Sequence, residues 1–191
     1  MFELLQPLFN DDLVGLSRFG LLRLSLFGED VIVSRTGYTG EDGIELIIPN
    51  RIASKVYQSL IHHSIQPCGL GARDSLRLEA GLPLYGQDIS LSINPLQTRY
   101  PWVISSNVEY VGKHAIESFD IDSETLVMTG VELSKGIARS GYSIVGGGQI
   151  TSGTLSPFLQ RSIAIAYLPQ SRVKIGNEIQ VLVPSPFSSI R

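Results

Sequence analysis

The part of the chain that follows Leu126 constrains the fold most. It contains five short β-prone runs that are separated by glycine, serine and proline: LVMTGVEL, GYSIV, QITSG, SIAIAYL and NEIQVLV. Several short strands at this spacing, each bounded by turn residues, are typical of a small barrel or sandwich. We therefore predict a C-terminal β-domain.

The first part of the chain has a different pattern. The apolar runs Leu21–Phe27 and Val31–Ser34 are joined by GED, which is a hairpin signal. A longer, glycine-rich turn, RTGYTGEDG, then leads into a third run, Ile44–Ile48. These patterns predict a hairpin followed by a second turn and a further strand.

Helical patterns follow these strands. Asn50 can cap the start of a helix in which Ile52, Val56 and Leu60 recur every four residues. A second helix is predicted at ARDSLRLEA, with Gly81 as its left-handed cap, and a helical turn or two at VGKHAIESF. Strands covered by helices indicate an α+β fold. The polar segment 118–124 marks the boundary, so we predict domains at 1–120 and 121–191.

Composition excludes several classes of function. The 191 residues carry a formal net charge of −3 with no basic block or stripe, which argues against binding of nucleic acid or an acidic membrane. A single cysteine, Cys68, allows no internal disulfide and suits a reducing compartment. No apolar run approaches the roughly 18 residues of a membrane span. The adjacent His62 and His63 point to different helix faces and His114 stands alone, so no metal site is predicted.

Three residues around the glycine-rich turn could form a binding site. Glu45 and Ile47 share the strand face opposite Ile44, Leu46 and Ile48, so Glu45 lies either on a solvated face or in a polar pocket. Arg73 occupies the first turn of a helix, where the helix dipole disfavours a cation. It either reaches an anionic ligand or forms a surface salt bridge with Asp74 or Glu79, and Arg77 can share its face. Tyr38, between two glycines, either binds a flat ligand or simply packs the turn.

Three long motifs resemble a known family. RTGYTGEDGIEL, GLGARDSLRLEAGLPLYGQDIS and GYSIVGGGQITSGTLSPFLQRSIAIAYLP are similar to the T-protein of the glycine cleavage system, the tetrahydrofolate-dependent aminomethyltransferase. The resemblance implies a partial ferredoxin-like α/β sandwich, the folate-binding region, followed by a C-terminal jelly-roll-like β-domain. It also implies transfer of a one-carbon unit from the aminomethyl group on a lipoylated carrier protein, the H-protein, to tetrahydrofolate, with release of ammonia.

The resemblance assigns roles to the three candidate residues. Glu45 matches the family's pterin-binding glutamate, Arg73 its folate-contacting arginine, and Tyr38 a tyrosine that lines the pterin pocket. The family's catalytic aspartate belongs to a part that lies N-terminal to residue 1, and neither Asp11 nor Asp12 sits in the corresponding motif. The resemblance therefore leaves the catalytic residue unknown. It predicts a truncated chain with weak or no turnover alone, in a bacterial cytoplasm or a mitochondrial matrix.

Other functions remain open at this stage. One is a non-catalytic folate-binding or assembly module of the same superfamily, although the characteristic motif of the related iron–sulfur maintenance proteins is absent. Another is the C-terminal module of a flavoenzyme that oxidises dimethylglycine or sarcosine, although no dinucleotide-binding fingerprint is present. The last is a structural protein with a degenerate pocket.

Overall fold

The computed structural model describes residues 8–9, 13, 15–105 and 107–184. Asp11, Asp12 and most of the closing segment VPSPFSSIR lie outside the described residues. The described residues form two compact units, one up to Arg77 and one from Leu78 onward. The predicted α+β class is confirmed, with one antiparallel sheet in each unit. The domain boundary at residue 120 stays a prediction.

The first unit is built on a three-stranded antiparallel sheet, in the order β1-β2-β3. Its strands are β1 (Leu21–Leu26), β2 (Glu29–Ser34) and β3 (Glu45–Ile47). The turn between β1 and β2 is Phe27–Gly28, with φ of 53° and 81°, the conformation that two-residue hairpin loops favour. The hairpin is confirmed, but most of the predicted GED turn is wrong, because Glu29 and Asp30 already belong to β2.

One face of this sheet is covered by helix α1 (Asn50–His62). Ile52 and Val56 are buried against strand residues such as Leu24 and Val33, with Leu60 packed beside them. The predicted stripe is therefore confirmed. The cap was misplaced by one residue: Pro49 is the N-cap, and Asn50 is already helical. Proline fixes its φ at −62°, and its ψ of 139° is extended, so the chain enters the helix from the non-helical conformation of an N-cap.

Helix α2 (Leu70–Glu79) follows, and the boundary between the two units falls inside it. Gly81 has φ of 71°, as the predicted cap requires. Helix α3 is a short turn, Lys113–Glu117.

The second unit contains the predicted β-domain. Its five-stranded antiparallel sheet has the order β4-β7-β6-β5-β8. The strands are β4 (Leu126–Leu133), β5 (Ser143–Ile144), β6 (Gln149–Ser156), β7 (Arg161–Pro169) and β8 (Val181–Leu182). Strand β7, between β4 and β6, is almost wholly buried, because one core cluster packs on each of its faces: Ala164, Ala166 and Leu168 belong to one, Ile165 and Tyr167 to the other.

Candidate functional site

The glycine-rich loop between β2 and β3 is closed by an ion pair. Arg35 donates from Nε and Nη2 to the two carboxylate oxygens of Asp42, at 2.9 and 2.7 Å, and from Nη1 to the carbonyl of Leu16 at 2.6 Å. Such two-pronged arginine–carboxylate pairs fix geometry as well as charge. The hydrogen bond from Arg35 lowers the pKa of the Asp42 carboxyl below its ordinary value. The two ends of the loop are thus held together.

Glu45 lies at the start of β3, on the sheet face that α1 does not cover, and it is exposed. Ile44, Leu46 and Ile48 pack toward the core, as predicted. The hydroxyl of Thr36, which belongs to the loop, donates a hydrogen bond to Oε2 of Glu45. Glu45 has no ion pair among the described residues, so its charge has no counter-charge within that part of the chain.

Tyr38 and Arg73 contact each other. The guanidinium carbon of Arg73 lies 4.9 Å from the centre of the Tyr38 ring, within the range of a cation–π interaction. Arg73 is exposed and makes no salt bridge within the described ranges. The predicted alternative of a salt bridge is not formed, because Asp74 binds Arg77 and Glu79 accepts from Ser156 instead. Arg73 therefore keeps its hydrogen-bond donors for another partner.

Arg77 has a different environment from Arg73. It is 1% exposed and donates from Nε to Asp74 at 2.8 Å. Arg73 and Arg77 are four residues apart on α2, as the prediction of a shared face requires, but only Arg73 is exposed. The spacing of three residues between Asp74 and Arg77, which places the two side chains together on a helix, was the signal for this pair.

The two charged groups are attached to the same loop. Glu45 accepts a hydrogen bond from Thr36, and the guanidinium of Arg73 lies over the ring of Tyr38, two residues further along the loop. Two residues span at most about 7 Å of chain. A carboxylate, an aromatic ring and a guanidinium that are linked in this way suit a flat ligand with N–H donors at one end and a polar or anionic group elsewhere.

Other features involve other parts of the described chain. A groove of about 950 Å³ in the second unit is lined by β4 and by residues 172–179, and sequence reasoning did not predict it. Cys68 is exposed, and its Sγ lies 3.6 Å from the carbonyl of Gln66. No helix in the described part of the chain is both long and apolar enough to span a membrane.

Together these features describe a two-unit α+β protein in which one glycine-rich loop contacts both Glu45 and Arg73. Comparison with known proteins makes the assignment more specific. Residues 2–108 match the model of the GCVT N-terminal domain, and residues 127–186 match that of the glycine cleavage T-protein C-terminal barrel domain. The chain therefore belongs to the glycine cleavage T-protein family.

Individual relatives agree with the family models. The chain is 40% identical to an aminomethyltransferase of Synechocystis sp. over 187 residues, which are 94% of this chain and 50% of the relative. It is also 40% identical to an aminomethyltransferase of Synechococcus elongatus, over 93% of this chain and 50% of the relative. The chain thus spans about half the length of these relatives.

A solved structure supports the fold. The glycine cleavage system aminomethyltransferase T from Bartonella henselae superposes with a TM-score of 0.74 at 31% identity. The match covers 80% of this chain and 45% of that protein. The predicted family is therefore confirmed by both sequence and fold.

Proposed function

We propose that this chain binds tetrahydrofolate and serves the aminomethyltransferase reaction of the glycine cleavage system. In that reaction a one-carbon unit passes from the aminomethyl group on a lipoylated carrier protein to tetrahydrofolate, and ammonia is released. Family membership supports the class of reaction. The observation that carries the folate proposal is the loop to which Glu45 and Arg73 are both linked, each without a counter-charge among the described residues.

Each of the three residues has a chemical role in this proposal. A reduced pterin presents adjacent N–H donors from its ring amide and its amino group, and the carboxylate of Glu45 can accept both. Tyr38 provides an aromatic surface, although Arg73 already occupies one side of its ring. Arg73 provides donors for a polar or anionic part of the folate, which accounts for its position in the first turn of α2.

The proposal assigns no catalytic residue. The family's catalytic aspartate has no match in the motifs of this chain, and the chain spans about half of its relatives. We therefore propose folate binding as the contribution of residues 1–191, with weak turnover by these residues alone. The lipoylated carrier protein is the proposed partner, and a bacterial cytoplasm or a mitochondrial matrix is the proposed location.

Calorimetric titration with tetrahydrofolate tests the binding site. Glu45→Gln and Arg73→Met each remove one charge from an exposed side chain, so stability should change little. We expect each to lower the affinity about 10- to 100-fold, since a hydrogen bond to a charged group contributes roughly 1.5–3 kcal/mol. Glu41→Gln and Arg139→Met are the matched controls, since both side chains are exposed and make no hydrogen bond or ion pair in the described residues. Equal losses in the controls, or no binding by the wild-type chain, would contradict the proposal.

A non-catalytic folate-binding module is the second candidate function. It is favoured by the candidate site itself, in which Glu45, Tyr38 and Arg73 all have binding roles and none has a catalytic one. An assay with aminomethylated carrier protein and tetrahydrofolate distinguishes the two functions. Binding without ammonia release supports the module, whereas turnover supports the transferase.

A further inference from the structure

We propose that Thr36 is a positioning residue, which orients the carboxylate of Glu45 toward a ligand that offers two adjacent N–H donors. The ligand in this inference rests on the proposed folate-binding function. The orientation of Glu45 does not depend on the proposed function, because it follows from contacts within the first unit.

Three hydroxyl and carboxylate groups form a chain on the open face of the sheet. Ser34 and Glu45 lie directly opposite each other across β2 and β3, so their side chains point to the same face. The hydroxyl of Thr36 lies 3.1 Å from that of Ser34 and donates to Oε2 of Glu45. Thr36 is placed to donate to both oxygens, but a hydroxyl has one proton and so makes one of these bonds at a time. The charged carboxylate is the stronger acceptor, so the proton of Thr36 serves Glu45.

This arrangement leaves acceptor capacity on Glu45. An ionised carboxylate has about four lone-pair sites, and Thr36 uses one of them on Oε2. Oε1 and the second lone pair of Oε2 remain for a ligand with paired N–H groups. A freely rotating exposed glutamate would lose rotamer entropy when it bound such a ligand. The hydrogen bond from Thr36 already restricts Glu45 to one conformation in the free protein. Less entropy is then lost on binding, so the ligand binds more tightly.

The position of Thr36 is itself fixed by its neighbours. Arg35, the preceding residue, binds both Asp42 and the carbonyl of Leu16. Threonine is also β-branched, which restricts its first side-chain torsion. The donor is thus held in place before a ligand arrives.

Two substitutions at this position test the inference. Thr36→Val keeps the shape of the side chain and removes the hydroxyl, whereas Thr36→Ser keeps the hydroxyl. We expect Thr36→Val to bind tetrahydrofolate about five- to tenfold more weakly than the wild type, and Thr36→Ser to retain most of the affinity. Thr39→Val is the control within the same loop, because among the described residues the Thr39 hydroxyl makes one hydrogen bond, accepted from the backbone N–H of Glu41 at 3.3 Å. The melting temperatures should be alike, since a loss through misfolding would lower them.

A double substitution shows whether Thr36 acts through Glu45. In a Glu45→Gln background, Thr36→Val should change the affinity less than twofold, since the group that it orients has lost its charge. A full five- to tenfold effect in that background would overturn the inference, and so would wild-type affinity in the single Thr36→Val variant.

A second readout does not depend on folate. Three-bond NMR couplings report the rotamer distribution of Glu45, and we expect one dominant rotamer in the wild type and averaging in Thr36→Val. If the wild-type chain binds no tetrahydrofolate, the proposed function fails, and the couplings alone decide the inference. Equal rotamer averaging of Glu45 in the wild type and in Thr36→Val overturns the inference. Averaging that is confined to Thr36→Val supports it.

Discussion

The buried polar side chains of the second unit differ in their partners from the exposed Glu45 and Arg73 of the first unit. In the second unit, buried polar groups bind one another: Asp88 accepts from the hydroxyl of Thr151 at 2.5 Å and from the backbone N–H of Leu84 at 2.9 Å. Glu79 likewise accepts from the buried hydroxyl of Ser156. In the first unit, Glu45 and Arg73 are exposed and have no counter-charge among the described residues.

This difference separates structural polar groups from those available to a ligand. A buried polar group without a partner costs about 1–3 kcal/mol, so a folded core retains its partners. An exposed charge is solvated and needs none, and it can exchange water for a ligand. The β-domain therefore uses polar residues for stability, while the loop of the first unit is suited to binding. Substitutions in the two units should consequently affect different measurements.

The largest effect is expected at Gly148 in the second unit. Gly148 has φ of +110°, and a Cβ placed there would lie 2.3 Å from the carbonyl oxygen of Tyr167. Gly148→Ala combines a backbone conformation that is reserved for glycine with a clash against backbone. We expect it to destabilise the protein by roughly 3 kcal/mol or more. Urea unfolding followed by circular dichroism measures this, and an unchanged midpoint would contradict the geometry.

The next effect is expected at Asp88, which is 2% exposed. Asp88→Ala leaves the hydroxyl of Thr151 and the backbone N–H of Leu84 without this acceptor, and should destabilise the protein by about 2–4 kcal/mol. Asp30→Ala, at an exposed position of β2, is the matched control and should change stability by less than about 0.5 kcal/mol. If both variants lost similar amounts of stability, the proposed contrast between buried and exposed carboxylates would be wrong.

The next prediction concerns Gly37, in the glycine-rich loop of the first unit. Its φ is outside the left-handed region, and a Cβ there would meet no described atom within 4 Å. Gly37→Ala should therefore leave stability within about 0.5 kcal/mol of the wild type. If a folate ring uses this space, the affinity for tetrahydrofolate should fall several-fold. Loss of stability together with affinity would instead show that Gly37 serves the fold.

Local patterns in the sequence were enough to predict much of this molecule. Alternation placed Glu45 on the open face of β3, and the four-residue recurrence placed Ile52 and Val56 in the core, because both depend only on the geometry of one element. The cap at Asn50 was wrong by one residue, as element ends are set by single backbone torsions.

Contacts between distant residues could not be predicted in this way. Asp88 and Thr151 are 63 residues apart, and no spacing rule relates them. The same is true of the 4.9 Å contact between Tyr38 and Arg73, although each was a candidate separately. The resemblance to the T-protein family grouped the three site residues, but only the structure identified Thr36 as the link to Glu45.

The smallest effect is expected at the ion pair that closes the loop. Arg35 lowers the pKa of Asp42, so the pair contributes to stability above the unfolded-state pKa of about 3.9, and the contribution is lost as the pH falls through the lower folded-state value. Both side chains are solvated, and salt should weaken the effect further. Carboxyl NMR titration should give Asp42 a midpoint below about 3.9 in the wild type and closer to it in Arg35→Gln. Arg23→Gln, at an exposed position of β1, is the control. If Asp42 titrates alike in all three proteins, Arg35 does not hold the loop, and the preset position of Thr36 loses its support.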